Sequence, residues 1–420
     1  MVLLLSSMLR DVPLQPDDDL RPPYTLTWED AEATSSAQAW VRVDAMLIEP
    51  STDLDLLREF LAGANVPPLL DPGQKPPTLA DVDAAIAENA PAWQAFTGVA
   101  DGTPVEFAWP ADPFNARFPF LTMVRMFRLL SVRIGAHLQR GDVTQAVVEL
   151  ELGLRALDGI EAGARSCIGA LIYIGLHEKC VESAQLLLAQ PLGDAEHESL
   201  ARTLAVDRGT SRYPLRALYG EYYEQSRLVR LLETESAPVI GGDYDGLPRS
   251  LFYKSNRTRN RVANLTRKWK AVLEAPHSEF VALAASYEGE FDVAWTDRVG
   301  DVIQGNLVGE MLISIANSPD VYVSIRSKEL ATIARGRQLR VAHALIRHEQ
   351  KHGELPTTLD ELVPAYLDAV PLDPFDEQPM RFDRKGRAVY SIGLDLTDSG
   401  GSIGDSAEPE EPTVIVPVPK

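Results

Sequence analysis

The feature that most constrains this chain is a run without charge. From Ser166 to Leu176 no side chain is ionisable at neutral pH apart from the weakly acidic Cys167 and Tyr173, and the run lies in a stretch, about 164 to 190, that favours helix. A helix apolar nearly all round offers no face to water, so other elements have to cover it on several sides. The stretch 164–190 is therefore read as the central core element.

The neighbouring sequence supplies partners for it. From 121 onward Val124, Phe127, Leu130, Ile134 and Leu138 fall on one helical stripe. Gly141 provides a stop, and Asp142 with Gln145 has capping-box spacing for a second helix bearing Val147, Leu150, Leu154 and Leu157. These segments predict an antiparallel helical hairpin. The turn Gly141-Asp142-Val143-Thr144-Gln145-Ala146 looks like part of a tetratricopeptide unit, but no second copy follows at that family's repeat length. Further helices are expected near 53–63, 79–97, 194–206, 212–235, 257–274, 298–317 and 326–352.

Proline and glycine divide the chain. Pro13, Pro16, Pro22 and Pro23 around Asp17, Asp18 and Asp19 make residues 1–24 an extended lead-in. Residues 25–120 read as a region of helices and loops, broken by Pro67, Pro68, Pro72, Pro76 and Pro77 and by the irregular stretch 98–120. A helical body spans 121–352, interrupted at 238–249 by Pro238, Gly241, Gly242, Gly246 and Pro248. After Leu355-Pro356, Thr358 and Glu361 form a capping box for a short helix. Met380 and Phe382 alternate before the turn Arg384-Lys385-Gly386-Arg387, and Val389-Tyr390-Ser391-Ile392 completes a β-hairpin. Residues 353–405 thus form an α/β segment, and the acidic, proline-rich tail 406–420 is expected to be disordered. The fold class is mainly α, an irregular multi-helix body with a small C-terminal α/β segment containing the hairpin.

A chain of 420 residues with 45% hydrophobic and 24% charged side chains is long enough to bury two or three packed units. With 40 basic against 61 acidic residues its formal charge is −21, which repels phosphate backbones and argues against nucleic acid as a partner. Cys167 and Cys180 lie about 20 Å apart along one helix, too far for a disulfide, and read as buried small hydrophobes. The opening Met1-Val2-Leu3-Leu4-Leu5 is too short for a signal-peptide core, and no stretch approaches the length of a membrane span. As written the chain reads as soluble and cytoplasmic, with a membrane tether only if an upstream anchor has been lost.

The run His352-Gly353-Glu354-Leu355-Pro356-Thr357-Thr358-Leu359-Asp360-Glu361-Leu362-Val363-Pro364-Ala365-Tyr366-Leu367 is similar to the C-terminal region of the major pseudopilin of type II secretion systems. So are Val370-Pro371-Leu372-Asp373-Pro374-Phe375, the hairpin, Tyr390-Ser391-Ile392-Gly393-Leu394-Asp395 and Gly400-Gly401. The rest, through Leu251-Phe252-Tyr253-Lys254-Ser255-Asn256-Arg257-Thr258 and Asn306-Leu307-Val308-Gly309, resembles a family of uncharacterised bacterial helical proteins that carry this ending, often behind a membrane anchor. The resemblance implies a place at the cell envelope and no activity. The long apolar first helix of a pseudopilin is missing, so filament assembly does not carry over.

Three features could carry chemistry. His348-Glu349-Gln350-Lys351-His352 matches the H-E-x-x-H pattern, in which two imidazoles on one helical face hold zinc and the glutamate handles a water proton. Gly353 and Pro356 end that helix at once, no later histidine follows, and a third ligand would have to be a residue such as Glu361; the alternative is a helix end whose histidine favours the C-terminal dipole. The loop from Gly393 to Gly401 resembles the calcium loop of the major pseudopilin, with Asp395, Asp398 and Asp405 as candidate ligands; the plain alternative is a solvated acidic turn. Between Pro248 and Leu273 lie Arg249, Lys254, Arg257, Arg259, Arg261, Arg267, Lys268 and Lys270 with no acid, beside the apolar face Val262, Leu265, Trp269 and Val272. That helix either docks on the body with a solvated basic side or meets an anionic partner or an acidic surface of the same molecule. No phosphate-loop, dinucleotide or nucleophile-elbow motif is present. The expected function is a non-catalytic interaction or scaffold protein of the bacterial cell envelope with a protein partner. The alternatives are a zinc hydrolase using His348, Glu349 and His352, and a helical-repeat-like adaptor.

Overall fold

A computed structural model of the chain describes residues 11–20, 35–50, 53–62, 76–100, 103–105, 119–208, 213–234, 253–291, 306, 309, 313, 319–401 and 412–418. The fold is mainly α, with a small antiparallel sheet near the C-terminus. Helices α1 (Ser35–Met46), α2 (Leu54–Leu61), α3 (Leu79–Glu88) and α4 (Ala90–Thr97) form the N-terminal part. The segment expected as one helix over 79–97 is two, because the chain breaks at Asn89 and Pro91 sits in the first turn of α4, where its missing N–H costs nothing. Trp40, Phe96 and Phe127 meet edge to face, which ties α1 and α4 to the next helix.

That helix, α5 (Phe120–Gln139), turns at Gly141, φ +74°, into α6 (Val143–Gly163), whose first turn is capped by Asp142 accepting from the Gln145 N–H at 3.2 Å. The hairpin is as expected. The uncharged run opens α7 (Cys167–Leu188), with Ser166 as its cap. Helix α7 packs on α5, α6, α9 (Tyr213–Thr234) and α12 (Pro319–His352), and α8 (Asp194–Leu204) bridges α6 and α12. It is central, as its composition demands. The cover is incomplete at its N-terminal half, where Ile168, Leu171 and Gly175 form an exposed stripe.

Helix α10 (Ser255–Glu274) buries Val262, Leu265, Trp269 and Val272, and Trp269 stacks on Tyr322 of α12 with ring centroids 5.0 Å apart. Helix α11 (His277–Phe291) follows it against α12. The expected helix over 298–317 lies almost wholly outside the described residues. Among those described, Asn306 accepts from the Lys254 N–H at 2.8 Å and the Thr258 hydroxyl at 3.1 Å, so the two body motifs singled out in the sequence meet in space.

After α12 a 3₁₀ turn (Leu359–Leu362) leads to β1 (Arg381–Asp383), β2 (Ala388–Tyr390) and β3 (Thr413–Ile415). The sheet order is β1-β2-β3, with Phe382 opposite Val389 and Val389 opposite Val414. The short helix expected after Thr358 is this 3₁₀ turn, with its capping box formed. The third strand corrects the expectation of a disordered tail: Val414 and Val416 alternate inward and are buried, which outweighs the acidic prolines before them. Among the described residues no helix is long and apolar enough to cross a membrane.

Candidate functional site

Chemistry-bearing side chains gather at three places: the junction of α12 with the sheet, the loop 393–401, and the polar face of α10. At the junction α12 stops at Gly353, φ +83°, as its Gly-Glu-Leu-Pro sequence requires. His348 is buried; its Nδ1–H donates to the Glu354 carbonyl at 3.1 Å, and its ring stacks on that of the exposed His352, centroids 4.3 Å apart. Glu349 accepts from Arg387 through both carboxylate oxygens, at 2.8 and 2.7 Å. The same guanidinium donates to the Val416 carbonyl at 3.0 Å and the Pro417 carbonyl at 2.7 Å, and so clasps β3. Glu361, the expected third ligand, accepts from the Thr357 and Thr358 N–H groups at 2.8 and 3.1 Å, which holds its carboxyl below the usual range. Among the described residues no three His, Cys, Asp or Glu side chains are grouped to hold a metal.

In the loop, Gly393, Gly400 and Gly401 take positive φ. Asp395 accepts from the Thr397 N–H and Asp398 from the Gly400 N–H, both at 3.0 Å. The second oxygen of Asp398 accepts from Arg381 at 3.1 Å. Asp405 lies outside the described residues. Two exposed carboxylates, one already neutralised by a guanidinium, do not by themselves offer the six to eight oxygens calcium takes.

Beside the loop sits a buried carboxylate that sequence reading did not single out. Asp373 is fully buried; one oxygen accepts from the Ser391 hydroxyl (2.8 Å) and the Phe375 N–H (3.1 Å), the other from the Ile392 N–H (2.8 Å) and Arg381 (3.2 Å). Arg381 reaches Asp376 as well, at 2.6 Å. The signal was the Leu372-Asp373-Pro374 motif itself, whose role is to fasten the segment together.

The basic face of α10 is met by the lead-in. Asp11 accepts from the Asn256 and Arg257 N–H groups, at 2.8 and 3.1 Å, in the first turn of α10, where Lys254 gives no side-chain cap. Asn256 donates to the Val12 carbonyl at 3.0 Å, while Asn260 donates to the Pro13 carbonyl at 2.9 Å and accepts from the Gln15 N–H at 2.8 Å. Arg267 grips Asp19 with two donors at 2.8 Å and the Pro16 carbonyl with a third contact of 2.8 Å; Asp17 accepts from the Tyr222 hydroxyl at 2.6 Å. The Arg267 hydrogen bonds hold the Asp19 carboxyl below its ordinary range. An acidic surface of the same molecule therefore meets this helix, alongside the docking of its apolar face.

The buried core holds further polar groups. Nδ1 of His197 and Nε2 of His343 are hydrogen-bonded at 3.0 Å, and the His197 Nε2–H donates to Gln350 Oε1 at 2.7 Å. Burial pushes His343 and His177 down to about 3. Burial also pushes the Cys167 and Cys180 thiols up, so neither is a thiolate nucleophile at neutral pH. No protein-family model, curated protein or solved structure matches the chain.

Proposed function

We propose that this chain is a non-catalytic interaction protein of the bacterial cell envelope, a helical scaffold offering surfaces to a protein partner. The observation that carries this reading is the engagement of Glu349. A zinc hydrolase needs that carboxylate to face a metal-bound water, whereas here both its oxygens are held by Arg387 in the join between α12 and the sheet. The envelope location is supported by the likeness of residues 352–401 to the C-terminal region of pseudopilins.

Metal analysis of the purified full-length protein, run beside a pull-down from bacterial envelope extract, tests the reading. The expected result is zinc well below one equivalent, unchanged by His348→Ala, with a partner captured in proportion to bait. Stoichiometric zinc that His348→Ala removes would overturn it in favour of the hydrolase.

A further inference from the structure

We infer that the polar face of α10 is a recognition groove for an acidic, proline-bearing peptide that runs without helix or strand over its first seven residues and closes in a 3₁₀ turn, and that residues 11–20, with that turn at Asp18–Leu20, are its ligand in cis. This deepens the interaction-protein reading and rests on it. The groove's contacts divide into two kinds. Asn256 and Asn260 read main chain: their amides take the Val12 and Pro13 carbonyls and the Gln15 N–H, which any extended segment offers. The other contacts select charge. Two first-turn N–H groups of α10 receive Asp11, Tyr222 receives Asp17, and Arg267 receives Asp19 as a two-donor fork. From Asn256 to Arg267 the helix rises about 17 Å, enough to align a peptide over several residues.

The segment in the groove has the character of a bound ligand more than of a core element. Leu20 is its one buried residue and Asp17 is half-buried; Asp11 to Pro16, Asp18 and Asp19 are exposed. An open cleft of about 720 Å³ lies between Val12 to Pro16 and Arg257, Asn260, Arg261 and Asn264. Burial of Leu20 anchors one end of the segment in the core, while the exposed hydrogen bonds and ion pairs along Asp11 to Asp19 each contribute little and exchange readily. A peptide of the same chemistry can replace such contacts one for one. Proline suits the role because it presets extended backbone and leaves its carbonyl available to Asn260 and Arg267.

The test uses the full chain and a fluorescent synthetic peptide of residues 11–20, read by anisotropy at low salt. Asp11→Asn with Asp19→Asn weakens the cis ligand at exposed positions, and this double variant is expected to bind the peptide at least tenfold more tightly than the unsubstituted chain. Adding Arg267→Gln, or separately Asn260→Ser, should weaken that binding at least tenfold, and a scrambled peptide of the same composition should bind at least tenfold more weakly. Equal binding by the double variant and the unsubstituted chain, or by the scrambled peptide, would overturn the groove. If the peptide fails while zinc is absent and a partner is still captured, the groove alone is lost and the interaction reading stands.

Discussion

Glu349 and Arg387 meet as a two-pronged ion pair that joins the last turn of α12 to the hairpin turn. Both side chains are largely shielded, at 15% and 20% exposure. Because Arg387 also donates to the Val416 and Pro417 carbonyls, one side chain holds the helix, the hairpin and the tail strand together. Arg387→Ala leaves a shielded carboxylate and two carbonyls without that donor, so a loss of about 2–4 kcal/mol is expected in denaturant unfolding. Amide exchange in Thr413–Ile415 should quicken in the same variant. Slow exchange there after the substitution would show that β3 is held by the sheet alone.

Asp373 and Asp398 share the Arg381 guanidinium yet should respond very differently to truncation. Asp373 is buried and accepts four hydrogen bonds, so Asp373→Ala strands several buried donors and should cost about 3 kcal/mol or more. Asp398 is exposed, and Asp398→Ala should cost under about 1 kcal/mol. Urea midpoints of the two variants that coincide would show that Asp373 is not the fastening of this segment.

Much of the helical body was legible because its signals are local. The uncharged run of α7 required cover, and α5, α6, α9 and α12 provide it. Gly141 and Asp142 set a turn that needs only four residues to specify it. What the sequence hid is long-range or diluted. The start of α12 at Pro319 stands seven residues before the expected one, since a proline at the first helical position reads as a break as readily as a beginning. Strand β3 rests on two alternating valines beside a run of prolines and glutamates. The lead-in residues that meet the polar face of α10 lie 244 or more positions away in the chain, and only the opposed charges of Asp17 to Asp19 and the basic run hinted at them.

One buried and one half-buried group should give pH responses of opposite sign. His177 is held down to about 3, below the ordinary imidazole value near 6.5, so the unfolded chain binds the proton first. Its contribution is present above about pH 6.5 and is lost as pH falls toward 3, about 2 kcal/mol by pH 5. Glu224 is pushed up to about 7, mainly by burial, so the folded chain holds the proton first. Its contribution is present below about pH 4.3 and is lost as pH rises through 7. Relative to the unsubstituted chain, His177→Leu should therefore retain stability better from pH 7 to 5, and Glu224→Gln should retain it better from pH 5 to 8. Parallel pH profiles for all three proteins would remove both assignments.

The last prediction concerns two glycines in helices. A Cβ built at Gly220 of α9 would lie 1.7 Å from the Arg165 carbonyl oxygen and 2.8 Å from its carbon, so α9 rests directly on the main chain that enters α7. Main chain at the cap of a central helix cannot step aside as a side chain can, so Gly220→Ala has to push α9 off the core, at a cost of about 1–3 kcal/mol or more. Gly336, inside α12, has nothing within 4 Å of the same position. There the methyl group meets no obstacle and alanine removes backbone freedom from the unfolded chain, so Gly336→Ala should stabilise by about 0.5–1 kcal/mol. Thermal unfolding of both variants beside the parent checks the pair. The first midpoint should fall by several degrees and the second should rise by one to a few, on the order expected for changes of this size. A Gly220→Ala protein that melts with its parent would mean that α9 does not lie against Arg165, and the packing of α9 on the start of α7 would have to be redrawn.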